Sequence, residues 1–201
     1  INYEIPPEYN KASVTFVLCS PKPFNHLEFR ISAPSCDGTL AQENTGSLTQ
    51  MRVRKISEQQ DSFGLTHTTV VLSFPASVTY SATDPADAPE PVNFKSWSPE
   101  HPWLYPFTLN ADEDTVDGYF AMRCFSVEKD SKGILRFCLN HKPYFLHGIL
   151  DQGYWSDGLM TAPCDEAFVY DISLAKGLGF NMLRKHIKLE SLRWYYHCDR
   201  L

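Results

Sequence analysis

The sequence has no excess of basic residues: 18 lysines and arginines stand against 24 aspartates and glutamates among 201 residues, and the net charge is −6. A negatively charged surface repels phosphate backbones and anionic lipids. This composition argues against nucleic acid or an anionic membrane as the main partner. The chain also lacks an apolar run long enough to span a bilayer. Residues 1–7 lack the basic and apolar segments of a secretory signal.

Motifs that bind metals or form redox pairs are missing as well. None of the six cysteines lies in a CxxC motif or at zinc-finger spacing with a histidine. We expect mainly free, buried thiols, which favours the cytoplasm, while disulfides and a secreted or periplasmic location stay open. The seven histidines form no HxH or HxxxH set with carboxylates. The sequence therefore predicts no metal site and no cofactor.

Apolar residues make up 43% of the chain and aromatic residues 13%, which is ample for a packed core. Residues 12–127 read as all-β, because apolar side chains alternate along short runs that turn-rich breaks separate. This alternation predicts an antiparallel sandwich. Residues 83–91 hold three prolines and three acids, which predicts an extended, solvated loop. The clearest alternation is in Val14, Phe16 and Leu18, and in Val70, Leu72 and Phe74.

The pattern changes after residue 128. Two apolar runs, 134–139 and 144–149, flank a predicted hairpin turn at 140–143. A helix is expected next, capped by Thr161, with Pro163 in its first turn and Gly179 as its stop. Its apolar positions at helical spacing are Phe168, Ile172, Ala175 and Leu178.

Residues 180–187 then predict a buried strand, and residues 190–201 predict a second helix. Strand, helix, strand and helix follow one another in fewer than 60 residues. This order indicates βα units that contribute to a parallel sheet.

Two sequence blocks in the β region resemble a known enzyme family. Residues 97–105 read WSPEHPWLY. They resemble the W-x-P-x-x-P-x-L-Y signature in the immunoglobulin-like domain of glycoside hydrolase family 2. Within residues 117–125, the run Phe120-Ala121-Met122-Arg123 stands where that family has Phe-Gly-x-Arg, so Ala121 departs from the family pattern.

The most specific block is LNHKPYFLHG at residues 139–148, which resembles the family's LNGKPxxLRG entry into its barrel. A histidine replaces the turn glycine, and His147 replaces the commoner arginine. Residues 179–186, GFNMLRKH, are similar to the family's GFNxxRxxH strand. Residues 194–201, WYYHCDRL, are similar to its WYxxCDxxG helix.

The resemblance implies an all-β immunoglobulin-like sandwich at residues 1–127, followed at 128–201 by the first two βα units of a truncated (β/α)₈ TIM barrel. It also implies a parent enzyme that hydrolyses O-glycosidic bonds with retention, as β-galactosidases, β-glucuronidases and β-mannosidases do. Retention needs two carboxyl groups about 5 to 5.5 Å apart. The family's acid/base follows an asparagine on the fourth barrel strand, and this chain has no Asn-Glu dipeptide. We therefore expect the chain alone to lack catalytic residues and to be inactive.

What remains is a predicted part of the sugar-binding wall, since barrel enzymes place their sites at the carboxyl ends of the strands. By the resemblance, the first strand end and its loop supply acidic, amide and aromatic side chains, and the second supplies cationic ones. The predicted substrate-binding residues are Asp151, Gln152, Trp155, Arg184 and His186.

Structural alternatives stand beside these roles. Arg184 is also suited to an ion pair with a neighbouring strand, Asp151 to capping its loop, and Trp155 to packing under that loop. Lys185 and His186 alternate sides on a strand, so at most one shares the side of Arg184, and parity favours His186.

Three further residues have structural interpretations. We expect His147 to be a packed core histidine within the first strand. We expect Trp97 and Trp103 to lie in the sandwich core or at an interface, because no carboxylate partner accompanies them.

A competing hypothesis from a different class is a non-enzymatic carbohydrate-binding or scaffolding module. The reading frame after Leu201 separates the two, since an enzyme requires more βα units and an Asn-Glu. The predicted partner is the carbohydrate substrate of the parent enzyme. An open edge on the truncated parallel sheet further predicts packing on the sandwich or a homo-oligomer.

Overall fold

The computed structural model describes residues 2–4, 11–32, 34–36, 52–75 and 95–201. The loop predicted at residues 83–91 lies outside the described residues. None of the described helices is long and apolar enough to cross a membrane. The described elements, in chain order, are β1 (Asn2–Glu4), β2 (Lys11–Ser20), β3 (Leu27–Ile31), β4 (Arg52–Gln60), β5 (Thr66–Pro75), β6 (Tyr105–Ala111), β7 (Asp114–Phe120), β8 (Phe125–Lys129), β9 (Leu135–Leu139), β10 (Lys142–Pro143), β11 (Gly148–Asp151), α1 (Asp165–Gly177), β12 (Met182–Lys185) and α2 (Leu192–Arg200).

Two antiparallel sheets form the first part of the chain. One has the strand order β1-β2-β5-β4, and the other has the order β3-β6-β7. The residues of strand β6 alternate between buried and half-buried from Tyr105 to Ala111. This alternation is expected of a sheet that packs one face against a core. The prediction of a mostly β region built from antiparallel strands is confirmed.

The two sheets share one aromatic core. Phe120 is fully buried and stacks on Tyr105 with ring centroids 5.2 Å apart. Phe16, from the other sheet, meets Phe107 edge-on at 5.1 Å. Full burial of one large apolar side chain stabilises a fold by about 1.5–3 kcal/mol, so this cluster is a main source of stability. Its buried members are Val14, Phe16, Ile31, Val70, Leu72, Tyr105, Phe107, Leu109, Ala111, Phe120 and Met122.

A third antiparallel sheet, β10-β9-β8, carries the predicted hairpin turn. Asn140 and His141 occupy it with φ of 52° and 60°, and Lys142 pairs with Leu139. Two positive φ angles are the mark of a type I′ turn, whose twist matches that of the flanking strands. The predicted turn is therefore confirmed, with histidine in the position that glycine prefers. The boundary expected between residues 127 and 128 falls inside β8 (Phe125–Lys129).

The last segment is β11-α1-β12-α2, in which β11 and β12 pair in parallel. Helix α1 begins one residue after Cys164, so the cap expected at Thr161 was wrong. The Thr161 amide donates instead to the Gly158 carbonyl in a preceding turn. Gly179 ends the helix as predicted: its φ is 89°, and the Phe180 amide reaches back to the Ala175 carbonyl.

Two details of this segment differ from expectation. Leu178 was expected on the apolar face of α1 but is 66% exposed, because it follows the last helical turn. Strand β12 is half-buried and spans only Met182–Lys185, shorter than the predicted 180–187. All six cysteines are unpaired, yet only one of them is buried; those at 19, 36 and 164 are exposed, so burial was the wrong expectation for these three.

Candidate functional site

The parallel pair brings two strand ends to one edge of the sheet. Asp151, the last residue of β11, lies beside Lys185, the last residue of β12. The His186 amide donates to the Asp151 carbonyl at 2.9 Å, which continues the pairing by one step. The loops that follow, 152–160 and 186–191, therefore leave the sheet side by side.

A buried network of charges occupies this edge. Lys185 Nζ lies 2.7 Å from Asp151 Oδ2 and 3.1 Å from Glu190 Oε2. Lys188 Nζ lies 3.0 Å from the same Glu190 oxygen. Lys185 and Glu190 are each only 8% exposed at the side chain. Two cations and two anions balance one another, which is the condition under which buried charges are tolerated.

Helix α2 contacts the network through Trp194. The Lys185 ammonium lies 4.3 Å from the ring centre of Trp194, which is 5% exposed. The aromatic face attracts a cation, and burial strengthens that attraction. Lys185 therefore points into the protein beside Asp151, whereas Arg184, its neighbour on the strand, is exposed.

The side chains of Gln152 and His186 contact each other at the same edge of the sheet. Gln152 Nε2 lies 3.3 Å from His186 Nδ1. Since an amide nitrogen only donates, this hydrogen bond requires an unprotonated Nδ1 on His186. Of the five predicted site residues, the structure brings Asp151, Gln152 and His186 together.

Trp155 and Arg184 are placed differently. The Trp155 ring meets Phe168 edge-on at 6.1 Å and packs against the cluster of Phe168, Ile172 and Trp194. This packing supports the alternative of a tryptophan beneath its loop. Arg184 forms no ion pair with any described residue. Tyr154, which is 59% exposed, is the aromatic face that the loop presents outward.

An open cavity of about 330 Å³ lies beside the strand ends. Asp171 on α1 lines it, and burial together with the nearby negative charge of Asp151 raises the pKa of that carboxyl. Carboxyl, amide and phenol groups around an apolar floor can hydrogen-bond hydroxyl groups while covering an apolar ring face. The residues that line the cavity are Ile149, Leu150, Asp151, Gln152, Gly153, Tyr154, Asp171, Leu174, Ala175, Leu178 and Leu183.

No group of three or more metal-binding side chains occurs among the described residues. Sequence reasoning considered Lys185 at the second strand end but selected Arg184 and His186 as site residues, and it missed Lys188 and Glu190. A signal was present, because lysines and a glutamate recur every two or three residues from 185 to 190, directly after a strand. Strand parity alone does not reveal that a helix covers the side carrying Lys185.

The junction between the antiparallel sheets and the βα segment is organised by Asp199 on α2. Arg123 Nη1 donates to Asp199 Oδ1 at 2.6 Å, and Tyr119 Oη donates to Oδ2 at 3.1 Å. Trp97 Nε1 donates to the Asp199 carbonyl at 2.6 Å and is 8% exposed, in keeping with its expected place in a core or interface. Trp103 is half-buried, with the Lys95 ammonium 3.8 Å from its ring centre.

His147 is exposed rather than packed in a core, so that expectation was wrong. It precedes β11, and its ring lies 4.7 Å from that of Phe180. Its backbone amide donates to Asn181 Oδ1 at 2.8 Å. The residue therefore sits at the start of the parallel pair, opposite the edge that carries Asp151.

No protein-family model matches this sequence, and no curated protein is significantly similar to it. Solved structures are similar in fold. A glycosyl hydrolase family 2 member from Bacteroides cellulosilyticus is 22% identical with a TM-score of 0.57, and the match covers 95% of this chain and 22% of that one.

Two further structures match at similar levels. Beta-glucuronidase 3 from Bacteroides uniformis is 17% identical with a TM-score of 0.61, and the match covers 98% of this chain and 21% of that one. An exo-chitosanase from Amycolatopsis orientalis is 13% identical with a TM-score of 0.58, covering 99% and 20%. This chain thus spans about a fifth of the length of the structures it matches and shares their fold over that part.

Proposed function

We propose that this chain is a piece of a retaining glycoside hydrolase of family 2, similar to the β-galactosidases and their relatives. Residues 1–127 form its immunoglobulin-like β-sandwich, and residues 128–201 form the first two βα units of its (β/α)₈ barrel. The parent enzyme hydrolyses O-glycosidic bonds in carbohydrates and needs no cofactor.

One observation carries this proposal. The antiparallel sheets are followed by a parallel β11-α1-β12-α2 segment whose polar residues converge at the carboxyl ends of its strands. That is the end at which barrel enzymes bind substrate. The sequence blocks that resemble the family lie on these elements in the family's order, and the similar solved structures include a glycosyl hydrolase family 2 member.

Within the parent enzyme, Asp151, Gln152 and His186 line part of the sugar site. Asp151 accepts hydrogen bonds from sugar hydroxyls, and its ion pair with Lys185 holds the carboxylate in position. The amide of Gln152 holds the His186 ring in place. Arg184 lies on the exposed face of β12, where the parent enzyme would use it to bind the sugar, and Trp155 supports the loop from beneath.

The chain by itself has no acid/base and no nucleophile, so it turns over no substrate. The decisive experiment is to obtain the full reading frame and express it. We expect several more βα units, an Asn-Glu at a strand end, and hydrolysis of a chromogenic β-galactoside, β-glucuronide or β-mannoside. Hydrolysis by the 201-residue chain alone would overturn the assignment. A natural stop codon near Leu201 would favour a carbohydrate-binding or scaffolding module.

The open edge of the β11–β12 pair is a surface on which a second copy of the chain can bind. Within the described residues, β11 pairs only with β12, and Leu150 on it is 54% exposed. An unpaired strand edge beside exposed apolar side chains favours association. We therefore propose that the isolated chain self-associates. Light scattering that finds monodisperse monomers would contradict this.

A further inference from the structure

One side chain, that of Lys188, crosses between the loops that follow β11 and β12. Its Nζ donates to the Gly153 carbonyl at 2.9 Å and to the Met160 carbonyl at 2.6 Å, both in the first loop. The same Nζ lies 3.0 Å from Glu190 Oε2 in its own loop. Two of the three N–H donors of the ammonium group thus have carbonyl acceptors, and its charge is paired with the Glu190 carboxylate. The side chain is 10% exposed, so water competes little for these donors.

The backbone of the first loop lies close to Lys188 and Glu190 at Gly153. Gly153 has a φ of 62°, and a Cβ placed on it would lie 2.9 Å from Lys188 Nζ and 2.9 Å from Glu190 Oε2. Any side chain at this position would push the charged pair away. The glycine therefore permits direct contact between the first loop and the Lys188–Glu190 pair.

The second loop contains a strained residue beside this contact. Ile187 has a φ of 72°, a left-handed conformation that is disfavoured for a β-branched residue, and its side chain is 75% exposed. Burial of its own side chain therefore does not explain the conformation. The lysines on either side of it, Lys185 and Lys188, both bind Glu190. Ile187 therefore lies between two lysines that both form ion pairs with the Glu190 carboxylate.

We propose that Lys188 is a positioning residue that joins the two strand-end loops into one preassembled wall, with Glu190 as its counter-ion. The first loop begins with Gln152 and the second with His186, so the cross-link holds together the two loops that carry these side chains. The importance of this arrangement for sugar binding rests on the proposed function, whereas the cross-link itself does not.

The test measures amide hydrogen exchange, residue by residue, in the 201-residue chain and in Lys188→Met. The informative amides are those of Trp155 and Leu159, which donate to each other's carbonyls within the first loop. We expect roughly tenfold faster exchange at both, because an ammonium with several acceptors contributes more than a neutral donor. Exchange at Asp61 and Gly64, in the distant β4–β5 turn, stays unchanged. Lys142→Met, at an exposed lysine, is the matched control.

A second variant, Lys188→Arg, separates a positioning role of Lys188 from a general loss of stability. Lys188→Arg keeps the cation and several donors, so slow exchange at Trp155 and Leu159 returns. Unchanged exchange at these amides in a folded Lys188→Met chain overturns the proposal, as does an equal acceleration at Asp61 and Gly64.

If Lys188→Met does not fold, Glu190→Gln removes the counter-ion and keeps the lysine. Faster exchange confined to the two loops then supports the proposal, and unchanged exchange overturns it. No sugar enters these measurements. If the full-length parent hydrolyses no glycoside, the function fails while the cross-link stands; if exchange does not respond, the cross-link fails while the function stands.

Discussion

Arg123 and Asp199, which are 76 residues apart in the sequence, form an ion pair of 2.6 Å between Nη1 and Oδ1. Their side chains are 21% and 19% exposed, so solvent screens the pair only in part. The Arg123 guanidinium also lies 4.5 Å from the ring centre of Trp97, whose indole N–H donates to the Asp199 backbone. This pair therefore links the antiparallel sheets to helix α2.

The first prediction concerns this link. In a double-mutant cycle with Arg123→Met and Asp199→Asn, we expect a coupling energy of roughly 1–2 kcal/mol, because the two side chains meet in a partly desolvated junction. Urea unfolding of the four chains measures it. The exposed pair of Arg30 and Glu28, at 3.1 Å, is the control and should give a smaller coupling, because solvent screens it. Equal coupling in the two cycles would contradict this interpretation.

A second prediction concerns Asn140 in the β9–β10 turn. Its Oδ1 accepts from the Cys124 amide at 3.0 Å, and its Nδ2 donates to the Trp97 carbonyl at 2.9 Å, in a residue that is 8% exposed. We expect Asn140→Ala to lower the free energy of unfolding by roughly 2–4 kcal/mol, since it leaves two backbone groups unsatisfied and places alanine at a φ of 52°. Asn110→Ala is the control, and a similar loss there would argue against a special role for Asn140.

Relief of backbone strain should stabilise the chain at Ile187. Glycine adopts a φ of 72° without strain, and Ile187 buries little of its side chain. We expect Ile187→Gly to raise the free energy of unfolding by roughly 1 kcal/mol. Leu189→Gly, at a residue that is 92% exposed and has no positive φ, should not stabilise the chain. A lower melting temperature for Ile187→Gly would count against strain at this position.

A fourth prediction concerns acid stability at Glu190. Burial by itself would raise the pKa of this carboxyl, but the ion pairs with Lys188 and Lys185 outweigh it and hold the pKa below the ordinary value of 4.5. The unfolded chain therefore binds the proton more readily than the folded chain. The stabilisation from Glu190 is present above pH 4.5 and is lost as the pH falls through the lower folded pKa.

Unfolding measured as the pH is lowered from about 5 checks this sign, because the unfolded chain takes up the proton first, near the ordinary pKa of 4.5. Glu190→Gln should show a shallower fall in stability with acid than the parent chain. Glu113→Gln, at an exposed glutamate, serves as the control. A slope in Glu190→Gln as steep as in the parent chain would show that other groups cause the acid loss.

Features set by nearest neighbours in the chain could be predicted well. The turn at Asn140 and His141 and the helix end at Gly179 follow from the backbone preferences of a few adjacent residues. The start of α1 could not be predicted as well, because the Thr161 amide is used in a turn with Gly158. Two local hydrogen-bonding patterns competed there, and the sequence pattern does not rank them.

The strand-end site also has features that the sequence predicts and features that depend on tertiary packing. The sequence alone predicted that Asp151 lies just after one buried strand and that Lys185 lies near the end of the next. Tertiary packing, in contrast, turns Lys185 inward to Asp151 and Glu190 against the face of Trp194 and leaves Arg184 exposed. The reason is physical: strand parity places neighbouring side chains on opposite faces, but which face is buried depends on the helix that covers it. That packing joins residues far apart in the chain, and it made a buried, charge-balanced network possible.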